Sequence, residues 1–193
     1  LRSTPHVGGP GQNLHDEIKR ESLGLVTVAS RVFRDVIFVN LSGDAAPFED
    51  YAADLIARWA DVDQLLHDGG PASAFTLEVA TNWKLAVENF CESYHLPWVH
   101  PGLNSYSRLE DHYNIEEPGR FSGQGTRVYR QIESEEGVRF PDFAGLPEFW
   151  DQGAEYIALY PNVLFGAQRD HAFAMILMPQ AMDRTRELTR LFY

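Results

Sequence analysis

The stretch NWKLAVENFCESYHLPWVHP, residues 82–101, decides which fold and which chemistry this chain is expected to have. It places His95 and His100 five positions apart, behind a run of acids and amides. Five positions along an ideal helix separate two side chains by roughly 140° of rotation, so the two imidazoles can share one ion only where the helix breaks. Pro97 lies between them and is predicted to supply that break. The spacing therefore predicts a metal site with His95 and His100 as ligands.

The residue types around the two histidines are compatible with an Fe(II) site. Neutral imidazole suits Fe, Zn, Cu and Ni, and two histidines with one carboxylate, with coordination positions left open, form the facial triad of non-haem Fe(II) sites. Glu92 lies three residues before His95 and is placed to hydrogen-bond a ligand's second nitrogen. Asn89 is disfavoured inside a helix, which indicates a local hydrogen bond. For each residue the alternative is an ordinary core or solvated side chain, which a bare H-x4-H spacing would favour.

The wider pattern N-W-K-x-x-x-E-N-F-x-E-x-Y-H-x-x-x-x-H-P resembles the mononuclear iron segment of Rieske non-haem iron oxygenases. More narrowly, it resembles the catalytic domain in the large subunit of the aromatic-ring-hydroxylating dioxygenase type. Fainter similarity continues through residues 107–113 and 184–186. About ten positions are fixed within 20 residues, so this segment is far more specific than a histidine pair alone.

The resemblance implies a role for each candidate residue. His95 and His100 would hold Fe(II), and Asn89 would lie near the iron. Glu92 would bridge the iron-bound histidine to a [2Fe-2S] cluster histidine of the next subunit, in a ring-shaped homotrimer, and conduct the electron. Most members have Asp at this position. A Glu occurs in a branch that includes oxygenases of quaternary ammonium compounds such as carnitine.

Composition narrows the class of protein. The 193 residues are 44% hydrophobic and 23% charged, as in an ordinary soluble globule, and a net charge of -12 disfavours a nucleic-acid partner. There is no apolar run of about 18 residues and no basic segment followed by an apolar one, so we expect a cytoplasmic protein without a membrane partner. Cys91 is the only cysteine. A Rieske [2Fe-2S] cluster needs two Cys and two His, so this chain alone is not expected to bind one.

The chain also departs from the family's pattern. The C-x-H and C-x-x-H motifs of the family's cluster domain do not occur in it. Residues 1–45 are therefore interpreted as a segment that follows a missing cluster domain, and residues 46–193 as the catalytic domain, truncated at its C-terminus. In the family the third iron ligand is an Asp on a late helix, which is expected beyond Tyr193. The fragment alone is expected to be inactive.

Hydrophobic patterning predicts many strands and few helices. A hairpin or a pair of adjacent strands is expected from runs at 25–29 and 32–41. An amphipathic helix is expected from Pro47 to about Ala60, with its apolar stripe made of Tyr51, Leu55, Ile56 and Trp59. Further strands are predicted at 74–80, 125–132, 155–160, 162–166, 172–179 and 186–193. In the helix expected within residues 82–101, the inward positions are predicted to be Leu85, Phe90 and Cys91. This is an α+β pattern. The resemblance implies the helix-grip (START/Bet v 1-like) fold, an antiparallel sheet curled around a helix, incomplete at both ends.

Three functions remain open from the residues. The first is an oxygenase that hydroxylates a small organic, aromatic substrate with O2, supplied with electrons by a reductase or ferredoxin. The alternatives are a quaternary-ammonium (choline, betaine or carnitine type) monooxygenase of the same family and a metal-free helix-grip ligand-binding module. A two-histidine zinc site would need further ligands. Trp150, Tyr160 and Phe165 are weighed as substrate wall, with a core role favoured, and Tyr94 and Trp98 are predicted to pack around the ligands.

Overall fold

A computed structural model of the chain describes residues 9–12, 23–62, 67–131 and 133–193. The chain divides into two compact units, Leu1–Ala46 and Pro47–Tyr193. The predicted boundary lies one residue from this division, and the assignment of residues 1–45 to a segment following a cluster domain stays a prediction.

The first unit contains an antiparallel hairpin of β1 (Ala29–Phe33) and β2 (Val36–Asn40). The prediction of a hairpin is confirmed, but residues 25–28 are not a strand and the polar pair at 30–31 lies inside β1. The chain turns instead at Arg34 and Asp35, which have φ of 47° and 59°. Two consecutive residues with positive φ form the tight turn whose twist matches that of paired strands, so backbone geometry overrides the polarity signal here.

Within the described residues of the second unit, seven antiparallel strands form one sheet in the order β3-β9-β8-β7-β6-β5-β4. Their bounds are Ala74–Val79, His112–Glu117, Phe121–Thr126, Ala154–Leu159, Val163–Ala167, Ala172–Ala181 and Arg184–Phe192, for β3 to β9. The predictions at β3 and at β6 to β9 are confirmed. The strand predicted at 125–132 is wrong for residues 127–131, because β5 ends at Thr126, and residue 132 lies outside the described residues. Strand β4 was missed.

The helices of the second unit are short. They are α1 (Phe48–Tyr51), α2 (Ala53–Arg58), α3 (Trp83–Cys91), α4 (Leu96–Val99) and α5 (Pro101–Asn104), with single 3-10 turns at 60–62, 71–73, 109–111 and 148–151. The amphipathic helix predicted from Pro47 is present as α1 and α2. Leu55 and Trp59 are buried as predicted, whereas Ile56 is 38% exposed and Ala52, between the two helices, is buried in its place.

Helix α3 packs on the sheet and so brings the segment with the two candidate histidine ligands next to the sheet. The Asn82 side chain accepts a hydrogen bond from the Lys84 N–H at 3.0 Å and so caps the helix start. The inward face of α3, made of Ala86, Val87, Phe90 and Cys91, covers a core cluster of buried side chains on β6 to β8. Leu85 is 55% exposed, contrary to the prediction, because it lies beside this face. The α+β class is confirmed.

No helix in the described ranges is both long enough and apolar enough to cross a membrane.

Candidate metal centre and its cavity

The two histidines flank a single helical turn. Helix α3 ends at Cys91, and His95 and His100 are the residues that cap the two ends of α4. The predicted break at Pro97 is wrong: Pro97 lies in the first turn of α4, where a missing N–H costs nothing because that group has no intrahelical partner. The helix breaks earlier, at Glu92, whose backbone is extended. The two imidazole centroids nevertheless lie 5.4 Å apart.

Glu92 orients the first histidine. One carboxylate oxygen accepts a hydrogen bond from the His95 backbone N–H at 3.2 Å, and the other is hydrogen-bonded to the His95 Nδ1 atom. Because a carboxylate only accepts, Nδ1 carries the proton and Nε2 is the nitrogen left for a metal. Asn89 donates from Nδ2 to the same Glu92 oxygen at 3.3 Å. The structure thus places the predicted residues Asn89, Glu92 and His95 in one hydrogen-bonded group next to His100.

A cavity of about 420 Å³ lies against this group. Asn89, His95 and His100 line it, but Glu92 does not. Its other walls come mainly from aromatic and polar side chains, including Phe90, Tyr106, Tyr129, Tyr156, Phe173, Ser107, His112, Gln124, Gln168 and His171. Glu92 instead lines a second cavity of about 430 Å³. The group therefore lies between two cavities, with the histidines on one and the acid on the other.

Several predicted surroundings of the site are different in the structure. Trp150 and Phe165 are buried in the core, as the favoured alternative predicts, and neither lines the 420 Å³ cavity. Tyr160 lines the second cavity, where its hydroxyl donates to Ser122 at 2.7 Å. Tyr94 and Trp98 are 69% and 85% exposed, so the prediction that they pack around the ligands is wrong for the described chain.

Two histidines that the sequence gave no reason to select, His112 and His171, also line the cavity. His171 bonds through Nδ1 to Asp170 Oδ1 at 2.9 Å, and the Tyr129 hydroxyl donates to the same oxygen at 2.9 Å. Burial, followed by the nearby Asp170 charge, raises the pKa of Tyr129, which keeps its hydroxyl protonated. Burial alone would raise the pKa of Asp170, but the hydrogen bonds from His171 and Tyr129 hold it below its usual value. Asp170 is therefore a carboxylate that fixes the His171 ring.

The donor set fits part of a metal centre. Two neighbouring imidazoles, here edge-to-face with an interplanar angle of 74°, one of them oriented by a carboxylate, are compatible with metal-binding histidines. Among the residues that the structure describes, no group of three His, Cys, Asp or Glu side chains is placed to hold one ion. His112 is on the cavity wall, but both of its ring nitrogens bond to neighbouring side chains.

Comparison with known proteins points to one family. The profile of the ring hydroxylating alpha subunit (catalytic domain) matches residues 66–193. The carnitine monooxygenase oxygenase subunit of Escherichia coli K12 is 29% identical over 90 residues, which are 47% of this chain and 24% of that protein. The chain thus matches about a quarter of this relative's length.

Solved structures are similar in fold. A quaternary ammonium Rieske monooxygenase, CntA, superposes with a TM-score of 0.69 at 16% identity, covering 93% of this chain and 46% of that one. Naphthalene 1,2-dioxygenase from Rhodococcus sp., bound to indole, superposes with a TM-score of 0.63 at 18% identity, covering 92% and 48%. The chain spans less than half of each. The likeness confirms the predicted helix-grip-like arrangement of sheet and helix.

Proposed function

The chain belongs to the ring hydroxylating alpha subunit family of Rieske non-haem iron oxygenases, and from this premise we propose that it serves as the catalytic domain of an oxygenase that hydroxylates a small organic substrate with O2. One observation carries the proposal beyond family membership. His95 and His100 face one cavity at a ring separation of 5.4 Å, and Glu92 holds the first of them with Nε2 free.

We propose that His95 and His100 hold mononuclear Fe(II). A bound Fe(II) would supply a redox-active ion with coordination positions open to O2 and substrate. The chain's own residues prepare the site for it: the Glu92 carboxylate keeps the proton of His95 on Nδ1, and the Asn89 amide holds that carboxylate from the cavity side. Orientation of a ligand's second nitrogen by an acid raises the ligand's basicity.

We further propose that electrons enter through Glu92 from a neighbouring subunit. Glu92 lines the second cavity and not the first, and Tyr94, Trp98 and Val99, which follow it closely in the sequence, are exposed. Large exposed apolar side chains of this kind are typical of a surface that another protein covers. This supports a homotrimer in which a [2Fe-2S] cluster of one subunit faces the Glu92 of the next, with a reductase or ferredoxin as the source of electrons. For CntA, inter-subunit electron transfer is described.

Two substrate classes fit the cavity. Five aromatic rings line it, and such rings can stack on an aromatic substrate or hold a quaternary ammonium by cation–π contact. The carnitine monooxygenase relatives and the Glu at position 92 support the second class. Saturation-transfer NMR with indole and γ-butyrobetaine as probes separates the two: the preferred class shows saturable binding, and binding of neither probe contradicts both.

Anaerobic titration with Fe(II) tests the site. His95→Ala and His100→Ala are each expected to abolish binding, because one imidazole is an incomplete site. His171→Ala is the matched control, since it also removes an imidazole from the cavity wall but is expected to leave binding unchanged. Equal affinity in the wild type and both ligand variants would end the assignment and favour a metal-free ligand-binding module.

A further inference from the structure

Gln124 on β5 is hydrogen-bonded to the C-terminal end of α3, the helix that precedes His95 and His100 in the chain. Its side chain is buried, with a residue exposure of 7%, and its amide Nε2 donates to the carbonyl oxygens of Phe90 at 3.0 Å and of Glu92 at 2.8 Å. The last carbonyls of a helix have no intrahelical partner. From the sheet, Gln124 satisfies one of them, that of Phe90, together with the carbonyl of the C-cap residue Glu92, where α3 ends and the segment to His95 begins.

The hydrogen atoms available on each side chain determine which group donates in the bonds of His112 with Gln124 and with Ser107. Both amide hydrogens go to carbonyls, so Oε1 is left only as an acceptor, and its partner at 3.0 Å, His112 Nδ1, must donate. Burial lowers the pKa of His112, which favours the neutral ring. In a neutral ring with the proton on Nδ1, Nε2 accepts, so the Ser107 hydroxyl at 3.0 Å donates to it. The Ser107 oxygen then accepts from Thr126, 2.8 Å away, whose one hydroxyl proton is shared between Ser107 and the Val128 carbonyl at 3.1 Å.

The chain of bonds makes the orientation of the Gln124 amide unique. A rotation of the amide by half a turn would point its oxygen at the carbonyls of Phe90 and Glu92, where acceptor would face acceptor. With the donor at His112 Nδ1 in place, that rotation would also point an N–H at an N–H. The carbonyls of Phe90 and Glu92 therefore exclude the rotated amide on one side and the Nδ1 proton of His112 excludes it on the other, and Gln124 in turn holds the Glu92 backbone.

We infer that Gln124, oriented by His112, is a positioning residue for the two-histidine centre: it fixes the main chain of Glu92, whose carboxylate holds His95. The inference rests on the proposed function, since it assigns these residues to the support of that metal site. Both side chains line the 420 Å³ cavity, but the role inferred here requires no contact with a metal ion or the substrate. Both residues affect the two-histidine centre through Glu92, whereas a residue that only capped the helix would affect the stability of the fold alone.

The test uses Co(II) as a spectroscopic probe of the centre, measured by its visible absorption during titration. Gln124→Glu keeps the shape but removes the two N–H donors. His112→Asn places an amide nitrogen near the position of Nδ1, and His112→Gln places one near Nε2. Gln124→Glu and His112→Gln are expected to bind Co(II) about tenfold more weakly, with an altered absorption band, as when outer partners of metal ligands are lost. His112→Asn is expected to stay close to the wild type. Thermal midpoints are recorded for all variants.

The comparison of the two His112 variants decides the inference even where Gln124→Glu fails to fold. Equal Co(II) affinity and spectra in His112→Asn and His112→Gln overturn it, as does a loss of affinity that follows the thermal midpoint and not the identity of the donor. His95→Ala separates this result from a failure of the proposed function. If wild type and His95→Ala bind Co(II) equally, both ideas fall. If His95→Ala loses binding while Gln124→Glu and His112→Gln keep it, only the positioning role falls.

Discussion

Replacing the buried Glu155 by Gln should destabilise the second unit strongly. Glu155 is 3% exposed and accepts four hydrogen bonds: two from Arg58 at 2.8 and 2.7 Å, one from the Trp59 indole at 2.7 Å and one from the Tyr113 hydroxyl at 2.8 Å. The bonds divide evenly between the two carboxylate oxygens, so whichever oxygen becomes an NH2 group leaves two donors without an acceptor. A hydrogen bond to a charged group contributes about 1.5–3 kcal/mol, so the loss is at least about 3 kcal/mol.

Urea denaturation followed by circular dichroism measures this loss as a fall in the free energy of unfolding. In a chain of this size about 3 kcal/mol corresponds to a fall in Tm of roughly 6–12 °C. Glu78→Gln is the matched control, because Glu78 pairs with Arg186 at 2.6 Å between two strands, but its side chain is 48% exposed. An exposed pair of this kind contributes about 0–1 kcal/mol. Similar losses in the two variants would refute the argument that burial of the Glu155 carboxylate makes its bonds strong.

Three further results are expected. In an enzyme that holds both metal centres, Glu92→Gln should keep the metals and lose most turnover, because an amide keeps the shape of the side chain but not its charge. A single-turnover assay with O2 after chemical reduction of both centres should restore product formation. A variant that is inactive in this assay would assign Glu92 to the chemistry or the fold. Burial raises the pKa of the Cys91 thiol, so alkylation by iodoacetamide at pH 8 should be slower in the native protein than in urea, and equal rates would contradict this. A subunit that also contains a cluster domain should scatter light as a trimer, and a monomer would remove the inter-subunit electron path.

The sequence predicted the elements that have strong local signals. Strands β6 to β9 have apolar and β-branched runs separated by turns, and they were found within two residues. Strand β5, FSGQGT, has no such signal, since it has two glycines and two hydroxyl residues. Those glycines are explained only by the folded sheet: a Cβ at Gly125 would overlap the ring of Tyr113 on the neighbouring strand. Small residues chosen for close approach between strands cannot be distinguished from loop residues by pattern alone.

The candidate site likewise has residues that a local sequence signal predicts and residues that it does not. His95 and His100 are five positions apart, and Glu92 and Asn89 lie within six residues of His95, so one short motif contains all four. The proline between the histidines was misinterpreted because a proline that ends a helix and one that starts a helix look alike in sequence.

The supporting residues are non-local, and their relation to the site is a property of strand register. In the antiparallel pairing of β4 with β5, His112 lies opposite Thr126 and Asn114 opposite Gln124. Side chains alternate between the two faces of a sheet, so His112, Gln124 and Thr126 share one face and are close enough to bond. A shift of one residue in β5 would turn Gln124 to the opposite face and leave the Glu92 carbonyl without its donor, and a shift of one residue in β4 would turn His112 away from Gln124. The proposed metal-binding pair can therefore be recognised from a short motif. The residues proposed to position it become visible only once the pairing of β4 with β5 is known, and the sequence predicted neither strand with its correct bounds.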